Sequence, residues 1–143
     1  ALATGTSAVA SDDAFPTENE KQLVTNIVND LSKCAGLYEY LAQIAIAAGK
    51  DSAAESFRGA VRGAKISAAY MLSIEAGAKG EAKRIGDYSD FVDNLYSISL
   101  THVKGLAELE DSDGIKEIGE ECRRVMEVQK ALVQQIRDEQ LNR

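Results

Sequence analysis

The chain has 143 residues, of which 45% are hydrophobic and 27% charged, with one proline and no tryptophan. A chain of this length is expected to fold as one domain, and this composition excludes disordered, collagenous and disulfide-scaffold classes and disfavours β-rich ones. The formal net charge of −7 opposes binding to nucleic acid or to anionic membranes, because both would repel the chain. We therefore expect neither as a partner.

Four segments repeat apolar residues at alternating spacings of three and four, which predicts amphipathic helices near 17–48, 52–76, 82–108 and 114–140. Gly49 predicts a left-handed C-cap for the first helix, and Ser52 with Glu55 predicts a capping box for the second. Helices of this length with short connections favour an all-α, antiparallel up-down-up-down four-helix bundle over 17–143. Residues 1–16 are then an N-terminal extension.

The inward stripes of these helices determine which residues we expect in the core. The stripe of the first helix starts at Leu23, and the stripes of the third and fourth include the polar residues His102 and Gln129. We expect these positions to face the neighbouring helices.

Two cysteines, Cys34 and Cys122, also lie on inward stripes, far apart in sequence and without the spacing of zinc, haem or thioredoxin-like motifs. The first and fourth helices are neighbours in the predicted bundle, so we predict a disulfide between them. The alternative is a pair of buried free thiols that act as small hydrophobic residues. A disulfide would indicate an oxidising compartment, either periplasmic or secreted.

The beginning of the chain agrees with export. Ala8, Val9 and Ala10 resemble a signal-peptidase site, although no charged segment and no full apolar segment precede them. No run approaches the roughly 18 apolar residues that would span a bilayer, so we predict no membrane span.

Three segments distinguish the sequence. They are Cys-Ala-Gly-Leu-Tyr-Glu-Tyr-Leu at 34–41, an Ala/Gly-rich second helix and Gly-Glu-Glu-Cys at 119–122. With these segments, residues 17–140 resemble small exported bacterial helical-bundle proteins. The resemblance implies export and brings no activity with it.

Few residues suit catalysis or metal binding. The one histidine, His102, has Ser99 where the Glu-x-x-His motif of a di-metal bundle requires glutamate. Leu109 occupies the first ligand position of a segment that otherwise resembles a calcium loop. We predict no metal site, no cofactor and no catalytic residue.

An acid–base enzyme is an alternative that would use carboxylates near the start of the third helix. The candidates are Asp87, Asp90 and Asp93. Acidic residues at that position are also expected because they stabilise the positive end of the helix dipole.

Charge is unevenly distributed along the sequence. Between Arg58 and Arg84, six basic residues stand against two acidic ones, a local charge of about +4 in an acidic chain. Arg58, Arg62 and Lys65 are four and three residues apart, so they share one face of the second helix. We call these three residues the basic edge.

The basic edge predicts a docking site, and the glycines beside it would let a partner backbone approach closely. The predicted partner-binding residues are Arg58, Gly59, Arg62, Gly63, Lys65, Lys83 and Arg84. The alternative is a solvated face that pairs with acidic helices of the same molecule.

These observations favour a non-enzymatic interaction or binding module of inhibitor, immunity or adaptor type. Its partner would be an acidic protein, or a second copy of the chain whose acidic body meets the basic edge. An alternative is a small-molecule carrier with a cavity between the helices, near the small residues Ala64 and Ala68.

Overall fold

The computed structural model describes residues 18–78 and 84–141. They form four helices, α1 (Glu18–Ala47), α2 (Asp51–Ala78), α3 (Ser89–Glu108) and α4 (Ser112–Leu141), with a 3₁₀ helix (Ile85–Tyr88) before α3. These residues contain no strand, and the predicted all-α four-helix bundle is confirmed. The predicted extension at 1–16 lies outside the described residues.

The connection between α1 and α2 has the predicted C-cap at Gly49 but does not have the predicted capping box of Ser52 with Glu55. Gly49 has φ +73, and the N–H of Lys50 donates to the carbonyl of Ala45 at 2.8 Å, as in a Schellman C-cap. The carbonyl of Lys50 then accepts the N–H of Ala54, so α2 begins at Asp51. The prediction of Ser52 as the N-cap is wrong, because this residue already lies inside the helix.

The third helix begins later than the sequence predicts. Residues 79–83 lie outside the described part of the chain, and Arg84 is extended, with φ −79 and ψ 158. Its N–H donates to the Asp87 carboxylate at 3.0 Å, which closes a tight turn over the 3₁₀ helix. Regular α-helix therefore starts only at Ser89.

Helix α1 packs most closely against α2 and next against α3, whereas α4 approaches all three other helices more openly. A Cβ atom built on Gly36 of α1 would lie 2.7 Å from the backbone nitrogen of Leu100 in α3. The Ser99 hydroxyl donates to the carbonyl of Lys33 at 2.7 Å across the same contact. The absence of a side chain at Gly36 thus permits the close approach of these two helices.

Two hydrogen bonds fix the direction of α4 relative to α2. Gln129 bonds to Ala60, and ten residues further along both helices Tyr70 bonds to Glu139. The partner numbers rise together, so α2 and α4 run in the same direction, as an up-down-up-down bundle requires.

The core consists of two clusters, one near the disulfide and one nearer the start of α1. The first draws on all four helices: Cys34, Ala35, Leu37, Tyr38, Val61, Ala64, Val103, Ile118 and Cys122. The second contains Val28, Leu31, Ala68, Ala69 and Val92.

Two of the predicted inward positions are wrong. Leu23 and His102 are exposed. Near the start of α1 the buried contact is made by Val28, and on α3 the rotation of the helix places Val103 in the core instead. Gln129 is buried as predicted.

Candidate protein-binding groove

The predicted disulfide joins Cys34 of α1 to Cys122 of α4, with a Cα–Cα distance of 5.5 Å. Both residues are buried in the core. The hydroxyl of Tyr38 donates to the carbonyl of Cys122 at 3.5 Å, and burial raises the pKa of this tyrosine. The bond ties the most openly packed helix to the central one, which is a structural role.

Two of the three cations of the basic edge form ion pairs with carboxylates of neighbouring helices. Arg58 Nε lies 3.8 Å from Glu39 Oε2, and Lys65 Nζ lies 2.5 Å from Asp93 Oδ1. Lys65 also sits 4.6 Å from the ring centroid of Tyr96, a cation–π distance. Arg58 thus reaches α1 and Lys65 reaches α3, so their charges are matched within the bundle.

Tyr96 lies close to both ion pairs, and their charges affect its pKa. Burial is the main cause that raises its pKa, the nearby Glu39 and Asp93 carboxylates raise it further, and Arg58 opposes them. The ring therefore remains a neutral surface against which Lys65 packs.

Arg62, the third cation of the basic edge, faces a different feature. It borders an open groove of about 650 Å³ between α2 and α4, which we call the α2–α4 groove. The residues that line it are Gly59, Arg62, Gly63 and Ile66 of α2, and Gln129, Lys130, Val133, Gln134 and Arg137 of α4.

Three of these lining residues are cations and none carries a carboxylate. Arg62 pairs with Glu55 at 3.0 Å and Lys130 with Glu127 at 3.8 Å, but the side chains of both pairs are largely exposed. Exposed pairs of this kind contribute little free energy, so their cations remain available to a partner. Arg137 has no ion pair with any residue of the described ranges.

The walls and floor of the groove combine small, apolar and amide groups. A Cβ atom at Gly59 would meet only the Arg62 guanidinium, at 3.8 Å, so the surface is low there. Ile66, which is 40% exposed, and Val133 supply apolar area. A partner can therefore come close to the α2 backbone and bury hydrophobic side chains beside the three cations.

Gln129 lies at the floor, and 5% of its surface is exposed. Its Nε2 atom donates to the carbonyl of Ala60 at 3.1 Å, while its Oε1 atom is buried with no hydrogen-bond partner. A Cβ atom at Gly63 would lie 2.6 Å from Nε2, so this glycine provides the space for the amide. The two glycines thus differ: Gly63 packs against α4, and Gly59 is open.

The other predicted partner-binding residues do not join this groove. Lys83 lies outside the described residues. Arg84 is exposed and borders a separate cleft of about 460 Å³, together with Tyr70 and Glu139. The structure thus brings Gly59, Arg62 and Gly63 together, while Arg58, Lys65 and Arg84 lie elsewhere.

The three carboxylates of the enzyme alternative occupy separate environments. Asp87 accepts the N–H of Arg84, Asp93 pairs with Lys65, and Asp90 is exposed in the first turn of α3. Within the described ranges, no three His, Cys, Asp or Glu side chains come together as metal ligands.

Five groove residues on α4 were missed by the sequence analysis as candidate contacts: Gln129, Lys130, Val133, Gln134 and Arg137. Two signals were present. Gln129 is a polar residue on an otherwise apolar stripe, and Lys130 and Arg137 are seven residues apart, on one face of the helix. What the sequence lacks is the pairing of α4 with α2, which brings these residues to Arg62.

None of the described helices has the length and apolarity that crossing a membrane requires. Comparison of the chain with known protein families, curated proteins and solved structures finds no match.

Proposed function

We propose that this protein is a non-enzymatic binding module of an exported compartment, and that it takes an acidic partner protein into the α2–α4 groove. The observation that supports this proposal is the charge of the groove, where Arg62, Lys130 and Arg137 face a shared surface without a carboxylate. In a chain of net charge −7, such a surface is a local exception.

The charge and shape of the groove together favour a protein partner. Complementary charge speeds encounter with an acidic surface and disfavours basic competitors. The apolar area at Ile66 and Val133, beside the low surface at Gly59, gives a bound segment hydrophobic contact as well as ion pairs. A surface of this kind would suit an inhibitor, an immunity protein or an adaptor.

The disulfide supports placement in an exported compartment. Disulfides form and persist in oxidising environments and are rare where thiols are kept reduced. The bond between Cys34 and Cys122 is buried and closes a long stretch of chain, as expected of a structural disulfide.

Selection from a displayed library of random peptides tests the proposal, because it requires no candidate partner. We expect recovered peptides to be enriched in Asp and Glu relative to the starting library. Their affinity, measured by fluorescence anisotropy with fluorescein-labelled copies, should fall at least tenfold in an Arg62→Glu, Arg137→Glu double variant.

A matched control is Lys116→Glu with Arg123→Glu, which makes the same change of charge at two exposed cations of α4 outside the groove. This control should keep most of the affinity. Recovery of peptides without acidic enrichment, or equal losses in both double variants, would contradict the proposed binding site.

A small-molecule carrier is a second candidate, favoured by a different cleft. An open cleft of about 630 Å³ lies between α1, α2 and α4. Its apolar lining residues are Leu37, Tyr38, Leu41, Phe57, Ile115 and Met126. The site expected near Ala64 and Ala68 is instead packed core, since neither residue is exposed.

Native mass spectrometry of the protein purified from its own host separates the two candidates. A bound mass that is lost in a Phe57→Ala variant would favour the carrier. Equal masses under native and denaturing conditions would leave the binding module as the better explanation.

A further inference from the structure

The least expected group in the α2–α4 groove is the buried amide oxygen of Gln129. A buried polar atom without a hydrogen bond costs free energy, and a leucine or methionine of similar volume would avoid that cost. Such groups are rare in folded proteins and often mark a function. This amide lies in the same groove as the three cations, where no lining residue carries a carboxylate.

We infer that the acidic partner binds as an extended segment, whose backbone N–H donates to Oε1 of Gln129 while its carboxylates pair with Arg62, Lys130 and Arg137. This inference rests on the proposed function and specifies the chemistry of the partner.

The hydrogen bonds of the Gln129 amide show how its oxygen can accept a donor from a partner. Its Nε2 bonds to the carbonyl of Ala60, which also lies within α2 and accepts a helical N–H there. A rotation of the side chain toward the groove therefore leaves no carbonyl unpaired. Gly63 lets the amide lie at this position beside the groove, because a Cβ there would come within 2.6 Å of Nε2.

An extended segment fits better than a helix. The backbone N–H groups of a helix are used internally except in its first turn, and that turn carries a partial positive charge. Presenting that end to Arg62, Lys130 and Arg137 would be repulsive. An extended segment offers free N–H groups along its length and carries no such charge.

The spacing of the cations sets the length of the segment. Lys130 and Arg137 are seven residues apart on α4, which is about 10 Å along the helix axis. An extended chain advances about 3.3 Å per residue and its side chains alternate between two faces, so acidic residues four positions apart, about 13 Å, are the nearest same-face match to this distance. The expected motif is a short stretch with acidic residues at both ends and an apolar residue between them for Ile66 and Val133.

The test uses the peptides selected on the wild-type protein, each also made with a single N-methyl group at every interior position in turn. We expect one N-methylated position to lose at least tenfold in affinity for the wild-type protein. With a Gln129→Met variant, the unmodified peptide should bind at least tenfold more weakly, and the same N-methyl group should have little further effect.

A stability measurement separates this role from a structural one. Gln129→Met should keep or raise the melting temperature, since it removes an unpaired buried oxygen. If Gln129 were needed only for packing, the variant would melt earlier, and the effect of N-methylation would be the same in both proteins.

Different outcomes would contradict the extended segment and the acidic-partner groove. Acidic peptides that gain helical circular dichroism on binding, with equal N-methylation effects in the wild type and Gln129→Met, would overturn the extended segment and leave the acidic-partner groove in place. If selection yields no acidic peptides, the proposed function fails and this inference fails with it.

Discussion

Gly36 and Gly59 are both helical glycines, but their surroundings are opposite. A Cβ at Gly36 would collide with the backbone of α3, whereas a Cβ at Gly59 has only the end of Arg62 within 4 Å. We expect Gly36→Ala to lower the free energy of unfolding by at least about 2 kcal/mol, because a helix backbone must move. Gly59→Ala should raise it by about 0.5–1 kcal/mol through helix propensity.

Urea unfolding followed by circular dichroism measures both variants. Each serves as a control for the other, since the chemical change is the same and both sites are inside helices. Equal effects at the two positions would contradict the close approach of α1 and α3 at Gly36.

Tyr70 links stability to alkaline pH. Burial, followed by the hydrogen bond of 2.6 Å to the Glu139 carboxylate and by its negative charge, raises the pKa of Tyr70 from 10.0 to about 12. Between these two values the folded protein retains a proton that the unfolded chain releases, so stability falls as pH rises from about 10 to about 12. Below pH 10 this contribution is fully present.

A Tyr70→Phe variant isolates this effect. The difference in melting temperature between wild type and variant should be constant below pH 10 and should shrink or reverse above it. Absorbance at 295 nm should show one fewer late-ionising tyrosine in the variant than in the wild type, where Tyr38 and Tyr96 also have raised pKa values. A difference in melting temperature that is independent of pH up to 12 would show that the phenol is not held protonated.

At the residue scale, the sequence predicts burial and local spacing well, but not which residue of another helix lies opposite. The basic edge is one helical face in the sequence, yet Arg58 reaches Glu39 and Lys65 reaches Asp93, while Arg62 faces α4. Carboxylates that distant in the chain become neighbours only through packing. The charge counted along a stretch of sequence is therefore an upper limit on the net charge of the folded surface, because packing can bring neutralising carboxylates beside the cations.

The α4 helix depends on its covalent link more than the other helices do. It approaches α1, α2 and α3 openly, and clefts border it along much of its length. The disulfide spans a sequence separation of 88 residues. In the chain-entropy account, closure of such a loop stabilises the folded state by about 4 kcal/mol.

We expect a Cys34→Ala, Cys122→Ala double variant to lose about 4 kcal/mol of unfolding free energy in urea titrations. Hydrogen exchange of the folded variant should accelerate more in α4 than in α1 or α2, because α4 loses its anchor and has fewer close neighbours. Uniform acceleration across all four helices would contradict the view that α4 is the least firmly packed.

The spacing of apolar residues predicts that the helices exist, but it predicts their first and last residues less accurately. The turn at Gly49 is predicted correctly because glycine is the residue that readily adopts a positive φ. The start of α3 is not, because an interaction of Asp87 with the backbone of Arg84 imposes a 3₁₀ turn first. The sequence alone does not distinguish a carboxylate that caps a turn from one that lies in the first turn of an α-helix.

The whole molecule combines a net charge of −7 with the cationic α2–α4 groove. Two copies of the chain therefore meet two opposing forces. The groove of one attracts the acidic surface of the other, while their net charges repel at distances within the screening length. Because the groove contributes only three cations to a chain of net charge −7, we expect repulsion to prevail.

The resulting prediction is a monomer at both low and high salt. Sedimentation velocity in about 10 mM and about 500 mM NaCl tests it, because the screening length falls from roughly 30 Å to less than 8 Å between the two. The Arg62→Glu, Arg137→Glu variant is the control, since it removes the cations that self-pairing would need. A wild-type dimer that forms at low salt, dissociates at high salt and is missing from the variant would assign the groove to a second copy of this chain instead of a foreign acidic partner.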